Sequence, residues 1–354
     1  MKRHLASVLL ALTTVACSAD SDRAGPSAGV ILQYHHIATD TPRITSTSPD
    51  EFAAHLDFLA EAGFEIWPLQ QLVDTVRAGH PTPARVASIT FDDAYTSIYT
   101  TAFPMLEERG WPFTVFVATE PVETGQAGYL SWDELREMSQ AGVTIANHTH
   151  SHTHLLRREA GESTGEWRTR IRGELTTAQE LIEKNLGSAP PLFAYTYGEY
   201  DPDVLAIVRD LGWVGVGQQS GAIGPGLAFE VLPRFPFGGS YNDIKAFRTK
   251  AQTLPMPVKA EIITPMIEED LTPSITLELT DTDVRRDQLV CYTPGGGTAE
   301  LDWNGNRVTA TATSPVPVGR SRYNCTMPAG EGRFYWYSQL WIRKRPDGSW
   351  YPEP

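Results

Sequence analysis

The chain has 354 residues and a formal net charge of −14 at pH 7, with a pI near 5.1. This length allows one large core and a smaller one, so we expect two domains. Nucleic-acid binding requires a basic surface, and the acidic composition therefore argues against a nucleic-acid partner. An acidic surface would instead tolerate or attract a cationic ligand.

The first part of the chain has the features of an export signal over 1–17. A basic start is followed by an apolar stretch at 5–12, which is too short to span a membrane, and small residues precede Cys17. Cleavage before Cys17 would resemble the processing of a bacterial lipoprotein, and an ordinary secretion signal is the alternative. We expect an exported protein of the periplasm or cell envelope, with an outer-membrane lipoprotein as one form. Its only membrane contact would be a lipid anchor at Cys17, and a polar tether follows at 18–28.

Predicted strands and helices alternate through the next part of the chain. The predicted strands are 29–36, 64–67, 86–91, 113–117, 143–146, 192–195, 213–217 and 230–234. The predicted helices are 48–63, 69–78, 95–109, 131–142, 159–185 and 202–211, and the first and fourth begin with capping boxes at Ser48 and Ser131. This alternation indicates parallel βαβ units. We therefore predict an α/β fold over 29–255, an irregular (β/α) barrel of seven or eight strands.

Helical periodicity fades after 255. Short β-rich runs follow at 274–279, 288–293, 299–303, 307–313 and 334–343. Asn304 and Gly305 form a two-residue hairpin signal between two of these runs. We expect a small all-β sandwich over 256–354. Because Cys291 and Cys325 form an even pair in an oxidising compartment, we predict a disulfide between two of its strands.

Polar residues stand directly after several predicted barrel strands. His35 lies at the end of the first, Asp92 and Asp93 follow the third, and His148 and Tyr197 follow later ones. In a parallel barrel the reactive groups lie at the carboxyl ends of the strands. Adjacent carboxylates repel each other unless a cation neutralises one of them, although an Asp-Asp pair is also common as a helix cap or turn.

The stretch 147–155 contains four of the nine histidines of the chain. Two pairs, His148 with His152 and His150 with His154, could each meet one metal ion if the backbone makes a single helical turn between them. A solvated polar loop, or a tract that binds metal adventitiously, is the alternative for such a run taken alone.

Together these residues resemble the polysaccharide deacetylases, the NodB-homology domain of carbohydrate esterase family 4, over roughly 29–239. The family motif Thr-Phe-Asp-Asp matches 90–93, which implies that Asp92 is the general base and Asp93 a metal ligand. The motif His-[Ser/Thr]-x-x-His matches 148–152, which implies His148 and His152 as further metal ligands. The same formula also fits the frame that starts at 150, but the preceding Asn147, which the family also has, and the distance from the strand favour the first frame.

The third family motif, usually Arg-x-Pro-Tyr-Gly, is altered here. Ala194 replaces the arginine and Thr196 the proline, whereas Tyr197 is kept. The resemblance implies that the backbone N–H of Tyr197 donates to the oxyanion, a role that needs only a main-chain position. The missing arginine normally tunes the base, and Arg234 is our candidate substitute. A buried arginine with a purely structural partner is the alternative.

The first strand ends in Tyr-His-His-Ile, which looks like the branch that includes the bacterial poly-N-acetylglucosamine deacetylases. In that branch the histidine of the Tyr-His motif is implied as the general acid, here His35. His36 is expected to have a supporting or structural role. No Leu-x-His follows 234, which agrees with this assignment.

The resemblance implies a metal-dependent hydrolase that removes acetyl groups from an N-acetylated extracellular or envelope polysaccharide, and we expect a monomer. Zinc is the default for two imidazoles and a carboxylate, and cobalt, nickel or iron also suit this set. Two alternatives stay open. One is an O-acetyl esterase on xylan or a similar glycan, and the other is a non-catalytic glycan-binding or metal-binding lipoprotein.

Overall fold

The computed structural model describes residues 27–260 and 263–353. The predicted signal, its Cys17 and most of the tether lie outside the described residues. Within the described part, no helix combines the length and apolar character needed to cross a membrane.

The first part of the chain forms a curved, mainly parallel sheet. Its strands and the short ones beside it are β1 (Gly29–Tyr34), β2 (His36–Ile37), β3 (Ser46–Thr47), β4 (Glu65–Ile66), β5 (Val86–Phe91), β6 (Phe113–Val117), β7 (Thr144–Asn147), β8 (Leu192–Ala194), β9 (Val214–Val216), β10 (Ala222–Ile223) and β11 (Phe235–Pro236). The order in the main sheet is β10-β1-β5-β6-β7-β8-β9. Every residue of β1 and β5 is buried, as expected for parallel strands covered on both faces.

The sheet closes through the segment 232–236. Leu232 forms a parallel bridge with Val216 of β9, and Phe235 pairs in parallel with Leu32 of β1. This segment therefore joins the last parallel strand to the first. The predicted irregular (β/α) barrel is confirmed.

Eight α-helices surround the barrel strands in the described residues. They are α1 (Pro49–Glu61), α2 (Leu69–Arg77), α3 (Phe103–Glu107), α4 (Thr119–Glu123), α5 (Trp132–Gln140), α6 (Thr164–Leu186), α7 (Pro202–Asp210) and α8 (Ile244–Ala251). Both predicted capping boxes are formed, at Ser48 and Ser131, and a third at Ser163 starts α6. Side-chain capping stabilises these helix starts locally.

Several elements differ from the predictions. The single helix expected over 95–109 is a π-helical turn, Ile98–Ala102, followed by the short α3. Pro104 lacks the N–H that would continue a regular helix, which accounts for the widened turn. The strand expected at 230–234 is reduced to the bridge at Leu232 and to β11, and α8 and the antiparallel β10 were not predicted.

The C-terminal part is the predicted β sandwich. Its strands are β12 (Leu254–Pro255), β13 (Val258–Ala260), β14 (Met266–Ile267), β15 (Ser274–Leu279), β16 (Val290–Tyr292), β17 (Glu300–Asn304), β18 (Arg307–Thr311), β19 (Gly319–Gly330) and β20 (Arg333–Arg343). Within the described residues, one sheet has the order β12-β20-β19-β16 with β14 on β20, and the other has the order β13-β15-β18-β17. Leu277 and Val308 of the second sheet share one core with Tyr323 and Trp341 of the first.

The predicted disulfide and the predicted hairpin of the sandwich are both present, but the hairpin turn is shifted. The disulfide is confirmed, because Cys291 and Cys325 are bonded and face each other on β16 and β19. The hairpin between β17 and β18 is present, but Asn304 pairs with Arg307, so its turn is Gly305-Asn306, one residue later than expected. The long strand β19 was missed.

Candidate active site

Polar side chains from the carboxyl ends of four parallel strands meet at one edge of the barrel. His35 follows β1, Asp93 follows β5, His148 follows β7, and Tyr197 lies just after β8. All four line one cleft of about 870 Å³. Asp92 is fully buried beneath it. The cluster predicted from strand ends is therefore assembled in the structure.

Asp93, His148 and His152 have the arrangement of a metal site. The Asp93 Oδ1 lies 3.2 Å from the His148 Nε2 and 3.1 Å from the His152 Nε2. One ligand atom from each residue lies within 4.8 Å of the other two. The Nδ1 of His148 is 2.8 Å from the carbonyl oxygen of Ala194, so Nδ1 carries the proton and the Nε2 lone pair faces Asp93.

The carboxylate of Asp93 supports the same interpretation. Its Oδ1 is buried and has no hydrogen bond within the described residues, although two imidazole nitrogens approach it. A buried carboxylate oxygen in this state requires an explanation. Two neutral imidazole lone pairs and one carboxylate oxygen converging on a point fit a divalent cation.

The backbone around the site is strained. Six non-glycine residues in the described part have positive φ, and five of them lie at the site: Asp93 (73°), Ala94 (61°), Thr149 (69°), His152 (55°) and Tyr197 (57°). Each such residue costs about 1–3 kcal/mol, and such strain clusters at functional sites. The expected helical turn between His148 and His152 is absent, because left-handed residues bring the two imidazoles together in a loop.

The other two histidines of the tract point elsewhere. The Nδ1 of His150 lies 2.9 Å from the Thr119 hydroxyl. The Nδ1 of His154 lies 3.2 Å from the carboxylate of Glu199. The structure therefore places His148 and His152, the pair of the first frame, beside Asp93. His150 and His154, the pair of the second frame, contact other residues.

Asp92 forms a buried ion pair with Arg234. The Nη1 and Nη2 of Arg234 donate to the two carboxylate oxygens of Asp92, each at 2.7 Å, and both side chains are fully buried. The Arg234 Nε donates to the carbonyl of Gly217 at 2.8 Å, which fixes the guanidinium. The candidate substitute arginine thus contacts the predicted base directly.

The pKa of Asp92 reflects this pair. Burial is the largest single influence and raises the pKa of Asp92, but the charge and hydrogen bonds of Arg234, together with the nearby His148 and His35, outweigh it and hold the pKa of Asp92 below its usual value. The side-chain amide of Gln33 adds a hydrogen bond of 2.7 Å to Oδ2. Asp92 is therefore ionised and held in one orientation.

His35 and His36 have different environments. His35 lines the cleft, and its buried Nδ1 has no hydrogen-bond partner in the described residues. Burial lowers the pKa of His35, and the charges of Asp93 and Asp92 oppose that shift. His36 stacks on Tyr95 with ring centroids 3.6 Å apart, and burial lowers its pKa to about 4.

Sequence reasoning assigned no structural role to two residues that support the site. Gln33 is the one polar residue in the otherwise apolar or aromatic strand β1, and that contrast was an available signal. Asn147 donates to the carbonyl of Leu175 in α6 at 2.8 Å and accepts from the N–H of Thr149 at 2.9 Å, so it anchors the start of the histidine loop. No local pattern pointed to the role of Asn147 across the fold.

The sandwich forms one wall of the cleft. The contributing residues lie before and along β19 and near the C-terminus: Val318, Gly319, Arg320, Arg322, Arg345, Tyr351, Pro352 and Glu353. This contribution depends on how the two parts of the chain pack, and it was not anticipated from the sequence.

Comparisons with known proteins agree with this geometry. The family model described as Polysaccharide deacetylase matches residues 79–216. YxkH of Bacillus subtilis (strain 168) is 25% identical over 193 residues, which cover 54% of this chain and 65% of that protein. The poly-beta-1,6-N-acetyl-D-glucosamine N-deacetylase of Escherichia coli (strain K12) is 24% identical over 219 residues, which cover 52% of this chain and 33% of that protein.

Among solved structures, IcaB from Ammonifex degensii is 25% identical with a TM-score of 0.57, covering 64% of this chain and 98% of that chain. The matched region spans 65% and 33% of the lengths of the Bacillus and Escherichia proteins, respectively.

We expect Arg234→Met to lower the free energy of unfolding by about 3–5 kcal/mol, because it leaves the carboxylate of Asp92 buried without its cation. Urea denaturation measures this loss. Arg109→Met, which removes a surface ion pair with Asp57, is the matched control and should cost about 0–1 kcal/mol. Equal unfolding midpoints for the two variants would contradict the assignment.

Proposed function

Because the barrel of this chain belongs to the polysaccharide deacetylase family, we propose that the protein hydrolyses acetyl groups from an N-acetylated polysaccharide of the cell envelope or its surroundings, similar to poly-N-acetylglucosamine. The main support is the convergence of Asp93, His148 and His152 beside the buried Asp92–Arg234 pair. The name of the Escherichia coli relative supports the substrate class.

Asp93, His148 and His152 would hold a divalent ion, with zinc as the default and cobalt, nickel or iron also suited to these ligands. Such an ion supplies a Lewis acid for the acetyl carbonyl. The protein orients both histidine ligands before any ion binds. The Ala194 carbonyl sets the tautomer of His148, and the hydroxyl of Tyr197, 3.2 Å from the Nδ1 of His152, helps to orient that ring.

Asp92 acts as the general base in this proposal. It takes a proton from the water that attacks the acetyl carbon. Arg234 keeps Asp92 ionised, and Gln33 helps to fix the carboxylate, so the base needs no rearrangement before it reacts. Arg234 therefore takes over the tuning of the base, which the arginine of the third motif usually performs and which Ala194 cannot.

Tyr197 and His35 complete the chemistry. The backbone N–H of Tyr197 donates to the oxygen on which negative charge develops. His35 donates a proton to the departing nitrogen, and burial lowers its pKa, which makes its protonated form a stronger acid. His36, stacked on Tyr95, has a supporting role.

Export of the protein is part of the proposal. The disulfide between Cys291 and Cys325 supports an oxidising compartment. The predicted signal and lipid anchor at Cys17 would hold the enzyme at the envelope, where an extracellular glycan is accessible. Metabolic labelling with a radioactive fatty acid tests the anchor, because Cys17→Ser should abolish the label.

Acetate release tests the proposed activity directly. We expect the full chain to release acetate from N-acetylglucosamine oligomers and Asp92→Asn to lower kcat by about 10²–10⁴-fold, because the base is lost. His150→Ala, in the same tract but outside the triad, is the matched control. Release only from acetylated xylan would move the function to an O-acetyl esterase. Release from neither substrate, with metal binding intact, would favour a non-catalytic binding protein.

Metal binding should depend on the triad. We expect about one zinc ion per chain in the wild type and little in His148→Ala, since three protein ligands are typical of a catalytic zinc site. His150→Ala should keep the wild-type zinc content, because His150 faces the Thr119 hydroxyl instead. Elemental analysis after dialysis measures both. Loss of zinc from His150→Ala but not from His148→Ala would contradict the assigned frame.

A further inference from the structure

Tyr197 is contacted from both parts of the chain. The His154 ring stacks on it with centroids 3.9 Å apart and planes inclined by 9°. The guanidinium of Arg320, on β19 of the sandwich, lies 5.1 Å from the centroid of the same ring. The ring therefore connects the histidine loop of the barrel with the C-terminal sandwich.

Arg320 is itself held by two carboxylates. Its two terminal nitrogens donate to the oxygens of Glu353 at 2.8 and 2.6 Å, and Nη1 also reaches Glu199 at 3.2 Å. Glu199 is fully buried and lies two residues after Tyr197. His154, Glu199 and Glu353 could hold a cation by their spacing, and the two carboxylates of this group contact the guanidinium of Arg320. A bidentate pair of this kind constrains position as well as charge.

The backbone of Tyr197 needs such support. Its φ of 57° is a strained conformation for a residue with a side chain, and strain of this kind persists only where surrounding contacts enforce it. Its hydroxyl also lies 3.2 Å from the His152 Nδ1. The position of this one ring therefore affects both the N–H assigned to the oxyanion and a ligand of the metal site.

We propose that Arg320 is a positioning residue for the proposed reaction, which acts by holding the Tyr197 loop in its strained conformation. The C-terminal sandwich is then a working part of the active site. This inference rests on the proposed deacetylase function.

The test is acetate release by Arg320→Met in the full chain. We expect kcat to fall about tenfold at a KM close to that of the control Arg343→Met, measured at a temperature at which both variants are fully folded. Arg343 is a second sandwich arginine, whose Nη1 donates to the carbonyl of Val316 within the sandwich. In a Tyr197→Ala background, Arg320→Met should have no further effect on kcat, because the ring through which it acts is gone.

Other outcomes overturn the inference. A higher KM at unchanged kcat would make Arg320 a substrate contact, and an unchanged kcat in the folded variant would make it a structural residue. An additive effect in the Tyr197→Ala background would show that Arg320 does not act through this ring. An inactive wild type would instead refute the proposed function, so the two failures are distinguishable.

A different observation concerns the mouth of the cleft. Four large hydrophobic side chains are strongly exposed in the described residues, and three of them line the cleft: Ile44 (61%), Tyr241 (57%) and Val318 (40%). They come from three separate segments, the 3-10 turns Arg43–Thr45 and Gly239–Asn242 and the stretch before β19. Exposed apolar groups concentrated at one site mark a binding surface.

Tyr241 has the features of a stacking platform. The ammonium of Lys250 lies 4.9 Å from its ring centroid, which supports the ring within the protein. The cleft that Tyr241 lines continues to Asp93, His148 and His152. A sugar ring presents an apolar face of C–H groups, and an aromatic side chain with a polar tip suits such a surface.

We infer that Tyr241 binds a sugar ring of the glycan chain next to the residue that is deacetylated, with Ile44 and Val318 as apolar contacts beside it. The occupant is the polysaccharide of the proposed function. The enzyme would then bind oligomers more tightly than single sugars.

Kinetics with oligomers of increasing length test this subsite. For a hexamer of N-acetylglucosamine, Tyr241→Ala should raise KM about tenfold at similar kcat, whereas Tyr241→Phe should keep the wild-type KM because stacking needs only the ring. Tyr292→Ala is the control, because Tyr292 is 49% exposed but lies outside the cleft lining. The effect should vanish for the monomer.

An unchanged KM for the hexamer in an active Tyr241→Ala variant would overturn the subsite and leave the deacetylase function standing. An equal rise in KM for monomer and hexamer would also overturn it, because the contact would then be with the reacting sugar. Acetate release by the wild type is the control for the function itself.

Discussion

The buried pair of Asp92 and Arg234 is the interaction on which the site depends. An isolated carboxylate at this depth would take up a proton, and only a cation in direct contact keeps it charged. Arg234 lies 142 residues after Asp92, in the segment that joins β9 to β1. The segment that closes the barrel therefore also carries the cation that keeps Asp92 charged.

The same pair separates the roles of two adjacent acids. Asp92 is paired with a guanidinium, whereas Asp93 faces His148 and His152. Their mutual repulsion is reduced because Arg234 neutralises Asp92, whereas Asp93 faces two imidazoles at a position suited to a divalent cation. The left-handed backbone at Asp93 accompanies this divergence, so strain at this turn contributes to the arrangement of the two side chains.

The sandwich connects to this chemistry through Arg320, which joins Glu199 of the barrel to Glu353 near the C-terminus. The third motif lacks its usual arginine and proline, and its environment contains two arginines from elsewhere instead. Arg234 pairs with Asp92, and Arg320 contacts the ring of Tyr197. Arginines from distant parts of the chain can therefore contact the residues around an altered motif.

The sequence alone determined the alternation of strands and helices and the capping boxes at Ser48 and Ser131, because these depend on residues close together in the chain. The expectation that Asp93, His148 and His152 bind a metal came from the resemblance of two short motifs. The tertiary structure decided the loop between His148 and His152, the π-helical turn before α3 and the contacts of Arg234. It also decided the contact between Arg320 and Glu199, which lie 121 residues apart in the chain. Such contacts depend on the path of the whole chain, and no local pattern of propensity or periodicity contains that path.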